Sequence, residues 1–271
     1  MLSVIIPASN EAGYIGACLT ALFASGAIGA EVIVVANGCT DATADVARGF
    51  ADQAATAGWG LVVIELQKGS KPNALNHGQA AAKGTVFAYL DADVRVSPGL
   101  MGELIVALQG FAPAYATGTA HIPAAKSALT RAYARFWRGL PFAQSRAPGY
   151  GVFAVNAAGR AFWGAFPDII SDDTFVRLQF TADQRHQTPA RYDWPMIEGF
   201  AALTRVRRRQ DAGVAELAVR YPELMQGYAK PRLGVGRLMA MILRDPLGFA
   251  AYAAVSAAVK VRKGNGWTRG R

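Results

Sequence analysis

The sequence predicts an α/β fold in which a mostly parallel sheet is sandwiched between layers of helices. Four short apolar runs are nearly continuous, as expected for strands buried on both faces; they lie at 3–6, 31–35, 61–64 and 85–90. Ala-rich segments long enough for crossover helices separate them, at about 12–18, 42–56 and 71–83. Such an alternation of strand and helix is typical of a sheet with right-handed crossovers.

The composition is that of a globular protein. The 271 residues are 52% hydrophobic and 17% charged, which excludes a disordered or collagen-like chain. The two cysteines, Cys18 and Cys39, match no disulfide framework and no zinc-ligand spacing, so we predict reduced packing residues. The opening run Leu2–Pro7 has no charged segment ahead of it, which predicts no signal peptide and a cytoplasmic location.

Charge divides the chain near residue 199. Residues 1–199 carry a net charge of −1, whereas residues 200–271 carry +10. We therefore predict two parts, an α/β domain over 1–199 and a basic helical extension over 200–271. Because the basic residues lie beside an apolar segment, the pattern favours an anionic membrane surface over nucleic acid as the partner of this extension.

The apolar segment of the extension is Pro246–Val259, which has 14 residues and no charge. Since about 20 apolar residues are needed to span a bilayer, we predict no span here. Two alternatives stay open. The segment is either a helix lying on the inner face of the cell membrane, followed by Lys260, Arg262 and Lys263, or a helix packed on the α/β domain.

The pattern changes after residue 114. Strands are predicted over 115–122 and 149–155. Helices are predicted over 129–139, 172–180, 200–212, 233–243 and 247–261. Ligands of parallel α/β sheets bind beyond the carboxyl ends of the strands, which predicts a site formed by the loops 7–11, 36–41, 67–71 and 91–93.

Asp91 and Asp93 directly follow the most hydrophobic predicted strand. Two ionised carboxylates this close repel each other unless a cation or strong donors offset the cost. Mg²⁺ accepts one or two protein carboxylates together with phosphate oxygens of a substrate, so the pair is a candidate metal site. The alternative is a polar loop with an Asp helix cap near Ser97.

Lys71 lies where a helix is predicted to begin. Lysine normally stabilises the other end of a helix, because the N-terminus already carries partial positive charge. A lysine beside free helix N–H groups suits an anion such as a diphosphate. An ordinary exposed lysine is the alternative.

Asp172 and Asp173 open another predicted helix. Acidic residues are favoured in a first turn, which is the structural interpretation. Two adjacent carboxylates exceed what capping requires, however, and one of them is a candidate general base.

Arg205, Arg207, Arg208 and Arg209 crowd one predicted helix, where they form either a phosphate clamp or a solvated basic face. The histidines are scattered, which favours structural roles. They are His77, His121 and His186.

Five segments, taken together, resemble the family-2 glycosyltransferases, which are inverting enzymes of the GT-A fold that use nucleotide-diphosphate sugars. The segments are SVIIPASNE at 3–11, IVVANGCTDAT at 33–43, KGSKPNALNHG at 68–78, TVFAYLDADV at 85–94 and the block from GYGVFAVN to DDTFVR at 149–177. They cover about residues 1–180 in the order of the family. The resemblance implies a GT-A catalytic domain, a divalent metal (Mg²⁺ or Mn²⁺), a nucleotide-sugar donor, and a glycan or lipid-linked acceptor.

The resemblance also implies roles for individual residues. Around the nucleotide base and ribose it places Pro7, Asn10, Glu11 and Asn37. Lys71 would approach the diphosphate, Asp91 would lie near the ribose and metal, and Asp93 would be the direct metal ligand. On the acceptor and diphosphate side it places Gly151, Asp172, Asp173 and Arg209, with Asp173 as the catalytic base.

Three departures from the family pattern matter. Ser9 and Ala36 replace a usual aromatic residue and a common Asp, and Gln210 replaces the Trp of the Q-x-x-R-W motif. Uridine stays the predicted nucleotide, whereas processive polymer synthesis is not predicted. Two rival functions remain. A nucleotidyltransferase should carry a Gly-rich basic loop where residues 8–13 read ASNEAG. A non-catalytic membrane-associated binding protein should have lost the carboxylates at 91, 93, 172 and 173, which are present here.

Overall fold

The computed structural model describes residues 1–27, 29–226, 228 and 233–261. The strands are β1 (Leu2–Ala8), β2 (Glu31–Asn37), β3 (Gly60–Leu66), β4 (Val86–Leu90), β5 (Arg95–Val96), β6 (Tyr115–His121), β7 (Val152–Asn156) and β8 (Arg185–Asp193). The first helices are α1 (Ile15–Phe23), α2 (Thr43–Arg48), α3 (Ala51–Thr56), α4 (Lys71–Ala81), α5 (Leu100–Ala107) and α6 (Ala128–Trp137). They are followed by α7 (Ala157–Arg160), α8 (Asp172–Leu178), α9 (Phe200–Arg220), α10 (Pro222–Gln226), α11 (Val235–Arg244) and α12 (Pro246–Val261).

Within the described residues the strands form one sheet in the order β3-β2-β1-β4-β7-β6-β8-β5. The four strands predicted from the apolar runs pair in parallel, β2 with β1 and β3, and β1 with β4. Strand β7 runs antiparallel to both β4 and β6. The predicted α/β fold with a mostly parallel sheet is therefore confirmed.

Helices cover both faces of the sheet, because side chains of a strand alternate between its two faces. Val4 and Ile6 of β1 join a buried cluster with Leu19 and Leu22 of α1. Ile5 points the other way, towards α4, where a Cβ added to Gly78 would lie 2.5 Å from its Cγ2 atom. The continuous apolar run of β1 is thus explained by burial on both sides.

The chain divides into two compact units, which we describe separately. The sheet unit comprises Met1–His121, Gly149–Asp168 and Gln179–Trp194, and it contains the whole sheet. The helical unit comprises Ile122–Pro148, Ile169–Leu178 and Pro195–Arg271. The predicted domain boundary at residue 199 stays a prediction.

In the helical unit, α12 packs against α6 and α9. The rings of Tyr252 and Tyr133 stack with centroids 5.6 Å apart, and Phe249 lies 5.5 Å from Phe136. The Arg208 guanidinium donates hydrogen bonds to the carbonyl oxygens at the end of α12. The predicted basic residues Arg262 and Lys263 lie outside the described residues.

Among the described helices, none is by itself long and apolar enough to cross a membrane. Helices α11 and α12 satisfy the length and composition criteria only when taken together, and the chain bends by 116° between them.

Candidate active site

Asn37, the last residue of β2, ties three of the four predicted site loops together. Its side chain is buried, and its Nδ2 atom donates to the carbonyl oxygen of Ala8 at 2.8 Å. Its Oδ1 atom accepts a hydrogen bond from the backbone N–H of Ser70 at 3.0 Å. The ends of β1 and β2 and the start of α4 are therefore fixed to one another by a single amide.

The turn after β1 is held by the loop after β2. Asn10 adopts a positive φ of 58°, and its Oδ1 atom accepts a hydrogen bond from the Thr40 N–H at 2.7 Å. The N–H of Glu11 donates to the Thr43 hydroxyl at 2.8 Å. Asn10 and Glu11, both predicted to surround the nucleotide, are thus tied to the loop that follows Asn37. Pro7 lies in β1 just before this turn.

Lys71 is the first residue of α4, and Ser70 caps this helix by accepting a hydrogen bond from the Asn73 N–H. The Lys71 ammonium lies 3.0 Å from the Asp91 carboxylate, and both side chains are about one-third exposed. The structure therefore places a cation at the N-terminus of α4 and joins it to the D-x-D segment that follows β4. This lysine is not an isolated surface residue.

Three acidic residues of the sheet unit lie near one buried thiol. Burial raises the pKa of the Cys18 thiol, and the carboxylates of Asp93, Asp91 and Glu11 raise it further. The Cys18 thiol therefore lies within electrostatic reach of all three carboxylates. As predicted, Cys18 and Cys39 are both free.

Gly151 adjoins the D-x-D segment, since its carbonyl oxygen accepts the N–H of Asp91 at 2.9 Å. It has a φ of 81°, and a Cβ added there would lie 2.6 Å from Cδ1 of Trp194. Trp194 also contacts Tyr150 with ring centroids 4.6 Å apart, and burial raises the pKa of Tyr150 to about 12. Sequence reasoning missed Trp194, because it follows a polar strand and belongs to no motif.

In the helical unit, Asp172 and Asp173 begin α8, as predicted. Asp172 is buried, with 5% of its surface exposed, whereas Asp173 is half-buried. An Oδ1 atom of Asp173 accepts a hydrogen bond from the Thr174 N–H at 2.6 Å. Burial raises the pKa of the Tyr228 hydroxyl, with the Arg177 guanidinium opposing this shift and Asp173 adding to it, so Tyr228 lies near both of them.

Helix α9 supports the segment that leads into this acidic pair. The Glu216 carboxylate accepts a hydrogen bond from the Ile170 N–H at 3.0 Å. A Cβ added to Gly213 would overlap the Ser171 hydroxyl and lie 3.0 Å from Cγ2 of Ile170. The backbone of α9 therefore approaches this segment at Gly213. Arg209, which is half-buried, lies one helical turn before Gly213.

The arginines of α9 have separate environments. Arg207 donates to the Tyr133 hydroxyl and lies over the Tyr252 ring, while Arg208 binds carbonyl groups of α12. Arg205 is exposed. Two of the four arginines at 205–209 therefore stabilise helix packing, which neither of the interpretations drawn from sequence anticipated.

The donor set suits a hard divalent ion. The described residues contain no group of three or more His, Cys, Asp or Glu side chains arranged to hold a metal. Asp91 and Asp93 offer carboxylate oxygens, and Mg²⁺-type ions need only one or two of these when phosphate oxygens complete the shell. The residues present therefore fit an ion shared with a diphosphate rather than a closed structural zinc site.

The sheet order, the capped α4 and the D-x-D segment define a domain of the GT-A glycosyltransferase type. The chain belongs to glycosyl transferase family 2, because residues 3–162, more than half of its length, match the model of that family. A protein of Bacillus subtilis (strain 168) described as uncharacterized glycosyltransferase EpsJ is 29% identical over 104 residues. That match spans 38% of this chain and 29% of the relative.

Solved structures share the fold. The mannosyltransferase PcManGT from Pyrobaculum calidifontis, in complex with GDP-Man and Mn²⁺, has a TM-score of 0.62 and 20% identity over 97% of this chain and 76% of its own. S. aureus TarS in complex with UDP-GlcNAc has a TM-score of 0.54 and 13% identity over 95% and 81%. Glucosyl-3-phosphoglycerate synthase from Mycobacterium tuberculosis, with Mn²⁺ and UDP-glucose, has a TM-score of 0.56 and 18% identity over 81% and 78%.

Proposed function

We propose that the protein transfers a sugar from a nucleotide-diphosphate sugar, with UDP as the nucleotide, to a hydroxyl group of a glycan or lipid-linked acceptor, with inversion at the anomeric carbon. The observation that carries the proposal is the Lys71–Asp91 pair at the N-terminus of α4. The pair lies where the loops after β1, β2 and β4 meet, and a helix N-terminus with a lysine is suited to a diphosphate. Membership of family 2 and neighbours that contain UDP-sugars or GDP-Man support this donor class.

Asp93 and Asp91 would hold a divalent ion, Mg²⁺ or Mn²⁺, against the diphosphate. When bound, such an ion supplies electrostatic stabilisation of the charge that develops on the departing diphosphate. Two of the structural neighbours contain Mn²⁺, which supports this choice. Lys71 adds positive charge at the same end of α4, and we assign Arg209 to the diphosphate side as a second cation.

Asp173 would act as the general base. It takes the proton from the acceptor hydroxyl as the oxygen attacks the anomeric carbon, and the bond to the diphosphate breaks in the same displacement. A single displacement with no covalent enzyme intermediate inverts that carbon. The half-buried position of Asp173 leaves its carboxylate reachable, whereas Asp172 is buried and suited to orienting the start of α8.

The acceptor and the location are proposed from charge. Residues 200–271 carry a net +10, which favours attraction to the anionic inner face of a bacterial-type membrane, where lipid-linked acceptors lie. We therefore propose that the protein is cytoplasmic and associates peripherally with the inner face of the cell membrane. We propose no nucleic-acid partner.

Calorimetric titration with UDP, with and without Mn²⁺, tests the donor half of this proposal. We expect binding only when the metal is present, and a loss of affinity of about tenfold or more in Lys71→Gln, because a charge-assisted contact contributes about 1.5–3 kcal/mol. Asp93→Asn should remove the dependence on metal together with most of the affinity. Lys83→Gln is the matched control, since Lys83 is exposed beyond the opposite end of α4.

The proposed site would be refuted if UDP bound with the same affinity in Mn²⁺ and in a chelator, and if Asp93→Asn left that affinity unchanged. An effect of Lys83→Gln as large as that of Lys71→Gln would show a general charge effect rather than a diphosphate site.

A further inference from the structure

The second half of helix α9 faces the segment that leads into the acidic pair of α8. Successive residues of a helix turn by about 100°, so Gly213, Glu216 and Arg220 fall within about 60° of one another. Gly213 is buried against Ile170 and Ser171. This side of α9 and the start of α8 both belong to the helical unit.

The Glu216 carboxylate has a partner for each of its oxygen atoms. Its Oε2 atom accepts a hydrogen bond from the Ile170 N–H at 3.0 Å, and its Oε1 atom pairs with the Arg220 guanidinium at 2.9 Å. The side chain is only 26% exposed. With both oxygens engaged and most of its surface covered, Glu216 is held in one orientation towards the segment before α8.

The Ile170 N–H depends on this acceptor. Ile170 lies between α7 and α8, in a part of the chain that is neither helix nor strand. A hydrogen bond to a charged group is stronger than one between neutral groups, and a partly buried N–H that loses its acceptor is destabilising. The bond to Glu216 therefore fixes the backbone at residue 170.

This contact lies directly before the candidate base. The carbonyl oxygen of Ser171 accepts the Phe175 N–H at 3.0 Å, which closes the first turn of α8, and Asp173 lies in that turn. Ser171 is buried, and a Cβ added to Gly213 would overlap its hydroxyl. Two contacts from one side of α9 therefore fix the backbone that carries the Asp173 side chain.

A third contact holds the same turn through Phe175. Its ring lies 5.1 Å from the ring of Tyr221, the residue that follows α9. The Arg220 guanidinium lies over the Tyr221 ring at 5.8 Å. Arg220 thus joins the carboxylate contact of Glu216 to the aromatic contact of Phe175.

We propose that Glu216 is a positioning residue, which fixes the segment before α8 so that the Asp173 carboxylate reaches the acceptor hydroxyl. The inference rests on the proposed function, because it takes Asp173 as the base. A general base has to lie within about 2.6–3.2 Å of the oxygen that it deprotonates, so a small backbone shift lowers the rate. Glu216 acts through Asp173 and takes no part in the proton transfer.

Two substitutions of Glu216 test the proposal in the full chain. Glu216→Ala removes the acceptor of the Ile170 N–H, whereas Glu216→Gln keeps a side-chain oxygen for it. We expect the backbone amides of residues 170–174 to exchange with deuterium about tenfold faster or more in Glu216→Ala. Glu216→Gln should return the exchange rates to within about threefold of the wild type.

Turnover is followed as release of UDP from UDP-glucose or UDP-GlcNAc with Mn²⁺, where water replaces the acceptor hydroxyl and the products are UDP and the free sugar. We expect kcat to fall about 10- to 100-fold in Glu216→Ala and to recover in Glu216→Gln, with KM and UDP affinity unchanged. Glu223→Ala is the matched control, since Glu223 is an exposed carboxylate of α10 in the same unit. It should behave like the wild type in both measurements.

A double variant separates positioning from a general structural defect. When Asp173→Asn has already removed the base, adding Glu216→Ala should lower the residual turnover by less than about twofold, because no base is left to position. A general defect would lower turnover by the same factor in both backgrounds. Thermal unfolding above the assay temperature verifies that each variant is folded.

The proposal is overturned by unchanged amide exchange or unchanged kcat in Glu216→Ala, or by a Glu216→Gln variant as impaired as Glu216→Ala. It is also overturned if UDP affinity falls together with kcat. Wild-type turnover in Asp173→Asn would instead refute the proposed base. If the wild type released UDP from neither sugar, the proposed donor would fail, and amide exchange, which needs no substrate, would by itself decide whether Glu216 holds the start of α8.

Discussion

At the scale of single residues, Gly38 and Gly69 bring two loops of the candidate site into close backbone approach. Gly38 has a φ of 56°, and a Cβ there would lie 2.6 Å from the Cα atom of Gly69 and closer still to its nitrogen. No side chain fits this gap. The absence of a Cβ at Gly38 therefore allows the loop after β2 to touch the loop that leads into α4.

Gly38→Ala should separate these two loops. We expect a loss of about 1–3 kcal/mol in the free energy of unfolding, since both the positive φ and the overlap penalise alanine. We also expect weaker UDP binding, because Asn37 and Ser70 would no longer hold their 3.0 Å hydrogen bond. Urea unfolding and calorimetric titration measure the two effects.

Gly13→Ala is the control for this prediction. Gly13 lies in the turn before α1 of the same unit, and an added Cβ would have nothing within 4 Å. Its stability should change little. If Gly38→Ala behaves like Gly13→Ala, then the close approach of the two loops has no part in donor binding.

The sequence predicted which loops come together, but not what the polar side chains on those loops bind. Asn37 was expected beside the nucleotide, yet both ends of its amide are engaged within the protein. A buried amide has to satisfy its donors and acceptors, and the nearest groups here are backbone atoms of neighbouring loops. Such partners are distant in sequence, so no local pattern reports them. The nucleotide-contact roles of Pro7, Asn10, Glu11 and Asn37 stay predictions.

At the scale of elements, α9 links the basic extension to the acidic pair of α8. Its predicted end near residue 212 was too early, because Gly213 resembles a helix stop. The helix instead runs to Arg220, and Gly213 serves close packing against Ser171. The packing of α9 against the segment before Asp172 and Asp173 could not be predicted, since it depends on Gly213 having no side chain.

Gly213→Ala should displace the segment that carries Asp173. We expect the rate of sugar transfer to fall by about 10²-fold, the cost of a misplacement near 1 Å, while UDP affinity stays at the wild-type value. Steady-state kinetics and calorimetric titration distinguish the two. Gly102→Ala in α5 is the control, because an added Cβ there would meet nothing within 4 Å.

A fall in UDP affinity equal to the fall in rate would contradict this prediction, since it would show that α9 acts on the donor loops. An unchanged rate would show that the position of Asp173 tolerates the shift.

The apolar strands were predicted well, whereas the polar strand β8 was not predicted. The first four strands followed from their buried runs, whereas β8 has the sequence RHQTPARYD and gave no strand pattern. It joins β6 on one side and the two-residue β5 on the other, so cross-strand hydrogen bonds rather than apolar burial define it. The helix predicted over 42–56 is two helices, α2 and α3, because the chain leaves helical geometry at Phe50, with φ −93° and ψ 5°, directly after Gly49.

At the scale of the whole molecule, the proposed chemistry draws on both compact units. Asp91 and Asp93 belong to the sheet unit, whereas Asp172 and Asp173 belong to the helical unit. The order of motifs along the chain predicted that these acids serve one reaction. It did not predict that residues 122–148 and 169–178 join the C-terminal helices in one unit, because that grouping depends on contacts between distant segments.

The central claim is that Asp173 removes a proton from the acceptor while the sheet unit binds the donor. The most direct measurement compares sugar transfer and UDP binding in Asp173→Asn, with Asp183→Asn, an exposed carboxylate, as the control. The claim predicts a fall in transfer of about 10²–10⁴-fold or more with UDP affinity unchanged, since the amide keeps the shape of the side chain but cannot accept the proton. Sugar transfer by Asp173→Asn at the rate of Asp183→Asn would contradict it.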